Sequence, residues 1–151
     1  MKIVFLDFDG VLNCHLYLTG VRWTNDELML DTAAIERVNR LLEASGAKVV
    51  ISSSWRHGWC QRRLEQMLKL RGFLGEVLGT TPMSAGTCRG HEIQAWLDKN
   101  PGVESFVILD DDSDMDLLMD RLVRTTFADG ILDSHVDRAL AVLTVPYCKA
   151  P

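Results

Sequence analysis

Short apolar runs alternate along the chain with segments in which apolar residues recur every three or four positions. Continuous apolar runs of this length are typical of strands buried on both faces, and the longer spacing is typical of amphipathic helices. The pattern predicts strands at residues 3–6, 49–51 and 106–109, with shorter strands at 76–80 and 123–127.

Helices are predicted between these strands, at residues 32–45, 60–71, 90–99, 114–122 and 134–143. Asp31 is suited to cap the first of them and Gly46 to end it. Ser134 and Asp137 have the spacing of a capping box at the start of the last one.

This alternation of strands and helices predicts an α/β protein with a Rossmann-like parallel sheet between two layers of helices. A length of 151 residues fits one domain that spans residues 1–151. In such sheets a ligand binds beyond the carboxyl ends of the strands, so the candidate chemistry is expected there.

The net charge and the short apolar runs argue against a general nucleic-acid-coating protein and against a membrane-spanning protein. The net charge is −5, which disfavours a general nucleic-acid-coating protein because backbone binding needs positive charge. No apolar run approaches the roughly 20 residues of a membrane helix, and Asp7 and Asp9 interrupt any signal peptide. We therefore expect a cytoplasmic protein without a membrane association and without an evident obligate protein partner.

The four cysteines form no Cys-x-x-Cys pair and are expected to be free thiols in a reducing compartment. One alternative is a zinc site made of His57, Cys60, Cys88 and His91. It is disfavoured because both pairs lie where a loop enters a helix rather than on tight knuckles.

Polar residues follow each of the three strongest strands: Asp7 and Asp9, then Ser52 to Ser54, then Asp110 to Asp112. Parallel strands bring these clusters to one edge of the sheet, where crowded carboxylates repel each other unless a cation lies between them. Oxygen ligands of this kind suit Mg²⁺. The alternative for the serines is a simple turn at the entry of a helix. The alternative for Asp110 to Asp112 is a solvated acidic start of a helix.

The serine run offers hydroxyl and backbone N–H groups that suit an anion. Together with a nucleophilic carboxylate, a second carboxylate for proton transfer and Mg²⁺, it predicts phosphoryl transfer through an aspartyl-phosphate. Two rival hypotheses are a signalling receiver domain and a phosphate-binding module without turnover. Serines at the end of the second strand argue against the receiver, and the presence of both Asp7 and Asp9 argues against the pure binder.

The motifs IVFLDFDGVLN, VVISSSWR and FVILDDDSDMD, in this order, resemble those of the haloacid dehalogenase (HAD) superfamily of phosphohydrolases. The segment GILDSHVDRAL near the end extends the resemblance over nearly the whole chain. More narrowly, the chain is similar to the small HAD domains of Swiss Army Knife RNA-repair proteins, which have no cap domain or a minimal one.

The resemblance implies a role for each site residue. Asp7 would be the nucleophile and a Mg²⁺ ligand, and Asp9 the general acid and base, with its backbone carbonyl on the metal. Asp111 would complete the metal site with Asp110 beside it. Ser53 would hold the phosphate, with Ser52 as the alternative.

The third motif departs from the superfamily, which usually has a lysine there. Arg89 is the best-placed substitute, and Lys99 is the less favoured candidate. An arginine stays charged and binds phosphate through two nitrogens, so it can fill the electrostatic role.

Residues 11–30 are too few for a folded cap, so we expect an open site. Trp23 is a candidate flap residue, although packing in the core is the favoured alternative for a single tryptophan. Residues 56–71 carry five basic side chains and one acidic one, a local charge of +4, and Arg56 is predicted to bind substrate. The expected substrate is thus a phosphorylated small molecule or a nucleic-acid end, although a merely solvated helix face is the alternative for this stretch.

Overall fold

Five parallel strands form the centre of the molecule in the computed structural model, which describes residues 1–21, 29–83 and 87–148. The strand order is β3-β2-β1-β4-β5, and every neighbouring pair is parallel. The strands are β1 (Lys2–Leu6), β2 (Lys48–Ile51), β3 (Val77–Thr80), β4 (Ser105–Asp110) and β5 (Leu122–Arg124). The predicted α/β class with a Rossmann-like parallel sheet is confirmed.

Helices cover both faces of this sheet. They are α1 (His15–Val21), α2 (Thr32–Ser45), α3 (Gln61–Leu70), α4 (Arg89–Lys99) and α5 (Asp133–Leu143), with 3₁₀ turns at Ser54–His57 and Asp116–Arg121. The buried faces of α2, α3 and α5 share one apolar cluster, and those of α4 and the second 3₁₀ turn share the other.

The strands contribute to both clusters because successive side chains point to opposite faces of a sheet. In β1, Val4 and Leu6 join the first cluster, whereas Ile3 and Phe5 join the second. All four side chains are fully buried, which explains why the strand has a continuous apolar run rather than an alternating one.

The predicted ends of α2 are confirmed, but the predicted start of α5 is wrong. The side chain of Asp31 accepts a hydrogen bond from the backbone of Ala33, and Gly46 ends the helix with a φ of 66°. At the other end of the chain, α5 begins one residue early, so Leu132 rather than Ser134 precedes its first turn. The ring of His135 accepts a hydrogen bond from the Leu132 N–H. Leu132 and His135 thus occupy the two positions that were predicted for Ser134 and Asp137.

The helix predicted over residues 114–122 is a shorter 3₁₀ turn, Asp116–Arg121. Its first residues are already engaged elsewhere: the Asp114 carbonyl accepts from the Gly90 N–H, and its side chain accepts from the Arg89 N–H. Asp116 follows with a φ of 50°, outside the range of a right-handed helix. Asp114 therefore binds the first N–H groups of α4 instead of starting a helix of its own.

The connection between β1 and α2 contains α1, which the apolar pattern did not predict. Trp23, the candidate flap residue, lies outside the described residues. None of the helices in the described part of the chain is both long and apolar enough to cross a bilayer.

Candidate active site

Strand register brings the three polar clusters together at one edge of the sheet. Leu6, the last residue of β1, pairs with Ile51 of β2 and with Leu109 of β4. One residue further, the Asp7 N–H donates to the carbonyl of Leu109, and the Ser52 N–H donates to that of Leu6. Asp7 therefore lies level with the serines on one side and with Asp110 on the other, at the carboxyl edge of the sheet.

Asp7 is buried at this edge. The Ser53 side chain and the Phe8 backbone hydrogen-bond its carboxylate, and an Arg89 nitrogen lies 3.5 Å from Oδ1. Burial raises the pKa of Asp7 above its ordinary value, and these partners only partly oppose that effect. Oδ1 has no hydrogen-bond partner among the described residues, which is unusual for a buried carboxylate oxygen.

Asp110 and Asp111 complete a cluster of carboxylates with Asp7. One oxygen of each lies within 4.8 Å of the others. Burial, and then repulsion by Asp7, raise the pKa of Asp110 to about 7. Burial and the same neighbour also raise the pKa of Asp111. Oδ2 of Asp110, like Oδ1 of Asp7, has no hydrogen-bond partner in the described part of the chain.

These oxygens fit a hard divalent cation. Three carboxylates, two of them buried and each with an unbonded oxygen, are a favourable ligand set for Mg²⁺ and an unfavourable arrangement without a cation. Among the described residues, the acidic, histidine or cysteine side chains that lie in a group of three or more close enough to share an ion are Asp7, Asp110 and Asp111. His57, Cys60, Cys88 and His91 do not form such a group.

Arg89 supplies the positive charge of the site. Its guanidinium donates to the Ser52 carbonyl and has a nitrogen 3.3 Å from Asp110 Oδ2, in addition to its contact with Asp7. Burial acts to lower the pKa of Arg89, but attraction by Asp7 and Asp110 outweighs it, so the pKa lies above its ordinary value. Lys99, the other candidate for this role, is the last residue of α4, whereas Arg89 is the first.

Gly90 permits this position of Arg89. A Cβ atom at Gly90 would lie 2.1 Å from the Met115 carbonyl oxygen, so any larger residue would force the first turn of α4 away from the loop after β4. The close approach brings the Arg89 and Gly90 N–H groups within hydrogen-bond distance of Asp114. This role of Asp114 was not predicted, because its place four residues after Asp110 is only a weak indication of it.

Asp9 is held by two N–H donors. Its Oδ1 accepts from the Asn13 side chain at 2.9 Å, and its Oδ2 accepts from the Trp55 indole at 2.8 Å. Neither donor was predicted. Asn13 lies in the turn directly after Asp9, which is a local signal, but Trp55 comes from a different strand end and has none.

Gly10 turns the chain between Asp9 and Asn13. It has a φ of 68°, and a Cβ atom there would lie 2.4 Å from the Asp111 carboxyl group. Its carbonyl accepts a hydrogen bond from the buried Thr125 hydroxyl, which follows β5. Only glycine fits, because the turn needs a left-handed conformation and Asp111 needs the space.

The two candidate phosphate-binding serines differ in their surroundings. The Ser53 side chain bonds Asp7 and accepts from the Trp55 N–H at 3.3 Å, so it lies directly beside the carboxylate. The Ser52 hydroxyl is buried and has no hydrogen-bond partner among the described residues. Contact with Asp7 thus favours Ser53 over Ser52.

Arg56 is placed differently from an exposed substrate-binding arginine. It is 8% exposed and donates to the carbonyls of Ser52 and Ser53, and it forms a buried ion pair with Glu92 of α4. Among the other basic residues of this stretch, Arg62 and Arg63 are exposed at the start of α3. The positive surface beside the site therefore begins at Arg62.

The comparisons with known proteins give one match. A family model described as the HAD domain in Swiss Army Knife RNA repair proteins matches residues 3–136, from β1 into the first turn of α5. No curated protein and no solved structure gives a significant match to the chain. The matched residues include all the side chains of the site described above.

Proposed function

Since the chain belongs to the family of HAD domains in Swiss Army Knife RNA repair proteins, we propose that it is a Mg²⁺-dependent phosphatase that uses Asp7 as its nucleophile. The family supports phosphohydrolase activity in general, and the carboxylate cluster is compatible with a divalent metal. The particular metal, the covalent intermediate and the substrate are part of the proposal.

One observation carries it: a buried carboxylate lies among a hydroxyl, a guanidinium and two further carboxylates. Ser53 and Arg89 lie beside Asp7, and Asp110 and Asp111 form the carboxylate cluster with it. The first two can bind phosphate oxygens, and the carboxylates can bind a cation that faces the same oxygens. This combination would place phosphorus directly in front of Asp7.

In the first step, a carboxylate oxygen of Asp7 attacks phosphorus and forms a new P–O bond while the bond to the leaving oxygen breaks. Asp9 donates its proton to that leaving oxygen, and the product departs as an alcohol. Mg²⁺, when bound, supplies positive charge next to the phosphate oxygens. Arg89 and the Ser53 hydroxyl hold these oxygens in line with the attacking carboxylate.

In the second step, Asp9 is a carboxylate and takes a proton from water as that water attacks phosphorus. The bond between phosphorus and Asp7 breaks, which releases inorganic phosphate and restores both carboxyl groups. Asn13 and Trp55 fix the plane of the Asp9 carboxylate, and each of its oxygens keeps a second lone pair for the proton.

For the substrate, we propose a phosphorylated nucleic-acid or nucleotide end. Arg62 and Arg63 lie in the first turn of α3, where the helix dipole disfavours positive side chains. Two exposed arginines at this position are better explained by an anionic ligand than by the stability of the helix. A polynucleotide would bring further phosphates to them.

The test is hydrolysis of a panel of phosphate esters by the wild-type protein and by Asp7→Asn. The panel includes p-nitrophenyl phosphate, sugar phosphates and oligonucleotides with a 5′- or 3′-terminal phosphate, each with Mg²⁺ and with EDTA. We expect turnover that requires Mg²⁺, favours oligonucleotides and is lost in Asp7→Asn, because an amide is not a competent nucleophile.

Asp31→Asn is the matched control, since asparagine caps a helix as well as aspartate does. Full turnover in EDTA would exclude the metal, and more than a few per cent of wild-type turnover in Asp7→Asn would exclude the covalent mechanism.

A further inference from the structure

A cavity of about 420 Å³ opens directly beside Asp9. Asp9 and Asn13 form its polar side, and most of the remaining wall is apolar, with Leu18, Met29, Trp55 and Trp59 among its residues. This volume is within the range of small-molecule binding sites, which are mostly apolar with a few polar groups that orient the ligand.

Two of the apolar side chains that line this cavity are also exposed to solvent. Trp59 is 49% exposed and Met29 is 45% exposed. Trp55 is anchored, because its indole N–H is bonded to Asp9 and its ring packs edge-on against the buried Phe8 at a centroid distance of 5.3 Å. The cavity thus has a fixed aromatic wall next to Asp9 and an exposed aromatic ring at its mouth.

The position of Asp9 decides what enters this cavity. A general acid must lie within hydrogen-bond distance of the oxygen that it protonates, which here is the oxygen of the leaving group. In the proposed mechanism the phosphoryl group would lie on the Asp7 side, near Ser53 and Arg89. The atoms beyond the leaving oxygen would then extend past Asp9, toward the cavity that Asp9 borders.

We infer that this cavity binds the leaving group and that it takes the planar base of a terminal nucleotide, stacked against Trp59. Apolar and aromatic walls match the face of a base, whereas the hydroxyl groups of a bare sugar would lose water there without gaining partners. This inference rests on the proposed phosphatase function and specifies the substrate of the same site.

Charge at the rim supports a nucleotide over other flat ligands. The Arg63 guanidinium lies over the Trp59 ring, 5.8 Å from its centroid, and Arg62 is its neighbour in the first turn of α3. A base stacked on Trp59 would place the next phosphate of a polynucleotide near these arginines. An uncharged aryl ligand would make no use of them.

The experiment compares pairs of oligonucleotides, phosphorylated at the 5′ or the 3′ end, in which the terminal nucleotide either has its base or is a stable abasic analogue. Both members of a pair have the same reacting ester. For the wild-type protein with Mg²⁺, we expect a KM about 5- to 150-fold lower when the base is present, the usual effect of one base–aromatic stack.

Trp59→Ala should remove most of this advantage by raising the KM of the base-bearing substrate far more than that of the abasic one, and Trp59→Phe should restore most of it. Leu74→Ala is the control for the loss of an exposed apolar side chain, since Leu74 is 85% exposed and lines none of this cavity. Circular dichroism of the variants checks that each is folded.

Equal KM values for the two members of every pair in the wild-type protein would overturn the inference and leave the phosphatase proposal intact. So would an equal effect of Trp59→Ala on both members.

If no phosphate ester is hydrolysed, the proposed function fails. Whether the cavity binds a base is then tested by measuring the affinity for each oligonucleotide. The change in tryptophan fluorescence of Asp7→Asn on titration with each oligonucleotide gives that measurement. Tighter binding of the base-bearing member supports a base-binding role of the cavity, and equal binding overturns that role as well.

Discussion

Asp9 has both carboxylate oxygens bonded to N–H groups from separate parts of the chain. The Asn13 amide and the Trp55 indole together restrict the Asp9 carboxylate to one plane. A general acid works best when its distance from the leaving oxygen is fixed before the reaction begins. The surroundings of Asp9 are therefore those expected of a group that transfers a proton rather than one that only binds a metal.

Asp9→Asn should slow turnover of an alkyl phosphate by roughly 10²–10⁴-fold, the usual contribution of a positioned acid and base. Release of p-nitrophenolate needs little protonation, so the first step with p-nitrophenyl phosphate should slow much less. Burst-phase kinetics separate this step from hydrolysis of the intermediate. Equal loss in the first step for both substrates would contradict the assignment of Asp9 as the acid.

At the scale of elements, a buried ion pair joins the turn after β2 to α4. Arg56 is 8% exposed and Glu92 is 6% exposed. The arginine also donates to the carbonyls of Ser52 and Ser53, so the pair fixes the segment that presents the Ser53 hydroxyl to Asp7. Arg89 starts the same helix, so α4 positions both Arg89 and the Ser53 segment of the proposed phosphate site.

Glu92→Gln should lower the free energy of unfolding by about 3–5 kcal/mol, because it leaves the Arg56 charge buried without its partner. The measurement is urea denaturation followed by circular dichroism. Glu76→Gln is the control: Glu76 pairs with Lys48 at 2.8 Å, but both side chains are exposed, so the loss should be within about 1 kcal/mol. Similar losses for the two variants would contradict the role of the buried pair.

The sequence predicts the sheet and the strand-end clusters well because both depend on local patterns. The apolar runs mark the buried strands. Asp7 and Ser52 follow β1 and β2 directly and Asp110 ends β4, so parallel pairing brings the three clusters together. The helix at residues 114–122 was predicted wrongly because tertiary contacts with α4 use the groups that would have started it.

Contacts between distant segments were not predictable for the same reason. Arg56 belongs to a run of basic residues that resembles an exposed face, yet Glu92, which lies 36 positions further along the chain, accounts for its burial. Trp55 donates to Asp9 across 46 positions. No local spacing marks either pair, since both depend on how the turn after β2 is folded against its neighbours.

On the scale of the whole molecule, the carboxylate cluster makes stability depend on pH. Burial and Asp7 raise the pKa of Asp110 to about 7, from a value of 3.8 for the free side chain. The folded state therefore binds this proton more tightly than the unfolded state. Without a metal, its contribution to stability is complete below about pH 4 and is lost as the pH rises through 7.

Asp110→Asn removes this loss, so in EDTA its Tm should exceed that of the wild type by an amount that grows between pH 5 and pH 8. Comparing the two proteins at each pH cancels the other titrating groups, including His135, whose pKa is lowered by burial. Mg²⁺ should raise the Tm of the wild type more at pH 8 than at pH 5, since metal and proton compete for the same oxygens.

Differential scanning calorimetry gives all of these Tm values. A Tm difference between wild type and Asp110→Asn that does not vary with pH would contradict the raised pKa of Asp110. A Mg²⁺ effect that is as large at pH 5 as at pH 8 would contradict competition between metal and proton.

The position of β1 in the strand order has a consequence for synthesis of the chain. β1 lies between β2, which follows it closely, and β4, which begins only at Ser105. While the ribosome is still adding residues 58–104, the nascent chain already contains Asp7 and the serines but not Asp110 and Asp111, and one edge of β1, which is apolar from Ile3 to Leu6, is unpaired. Such an edge is prone to pairing with other chains. Emergence of β4 covers this edge of β1 and brings Asp110 and Asp111 beside Asp7 at the same time, so the carboxylate cluster forms only when β1 is paired on both sides.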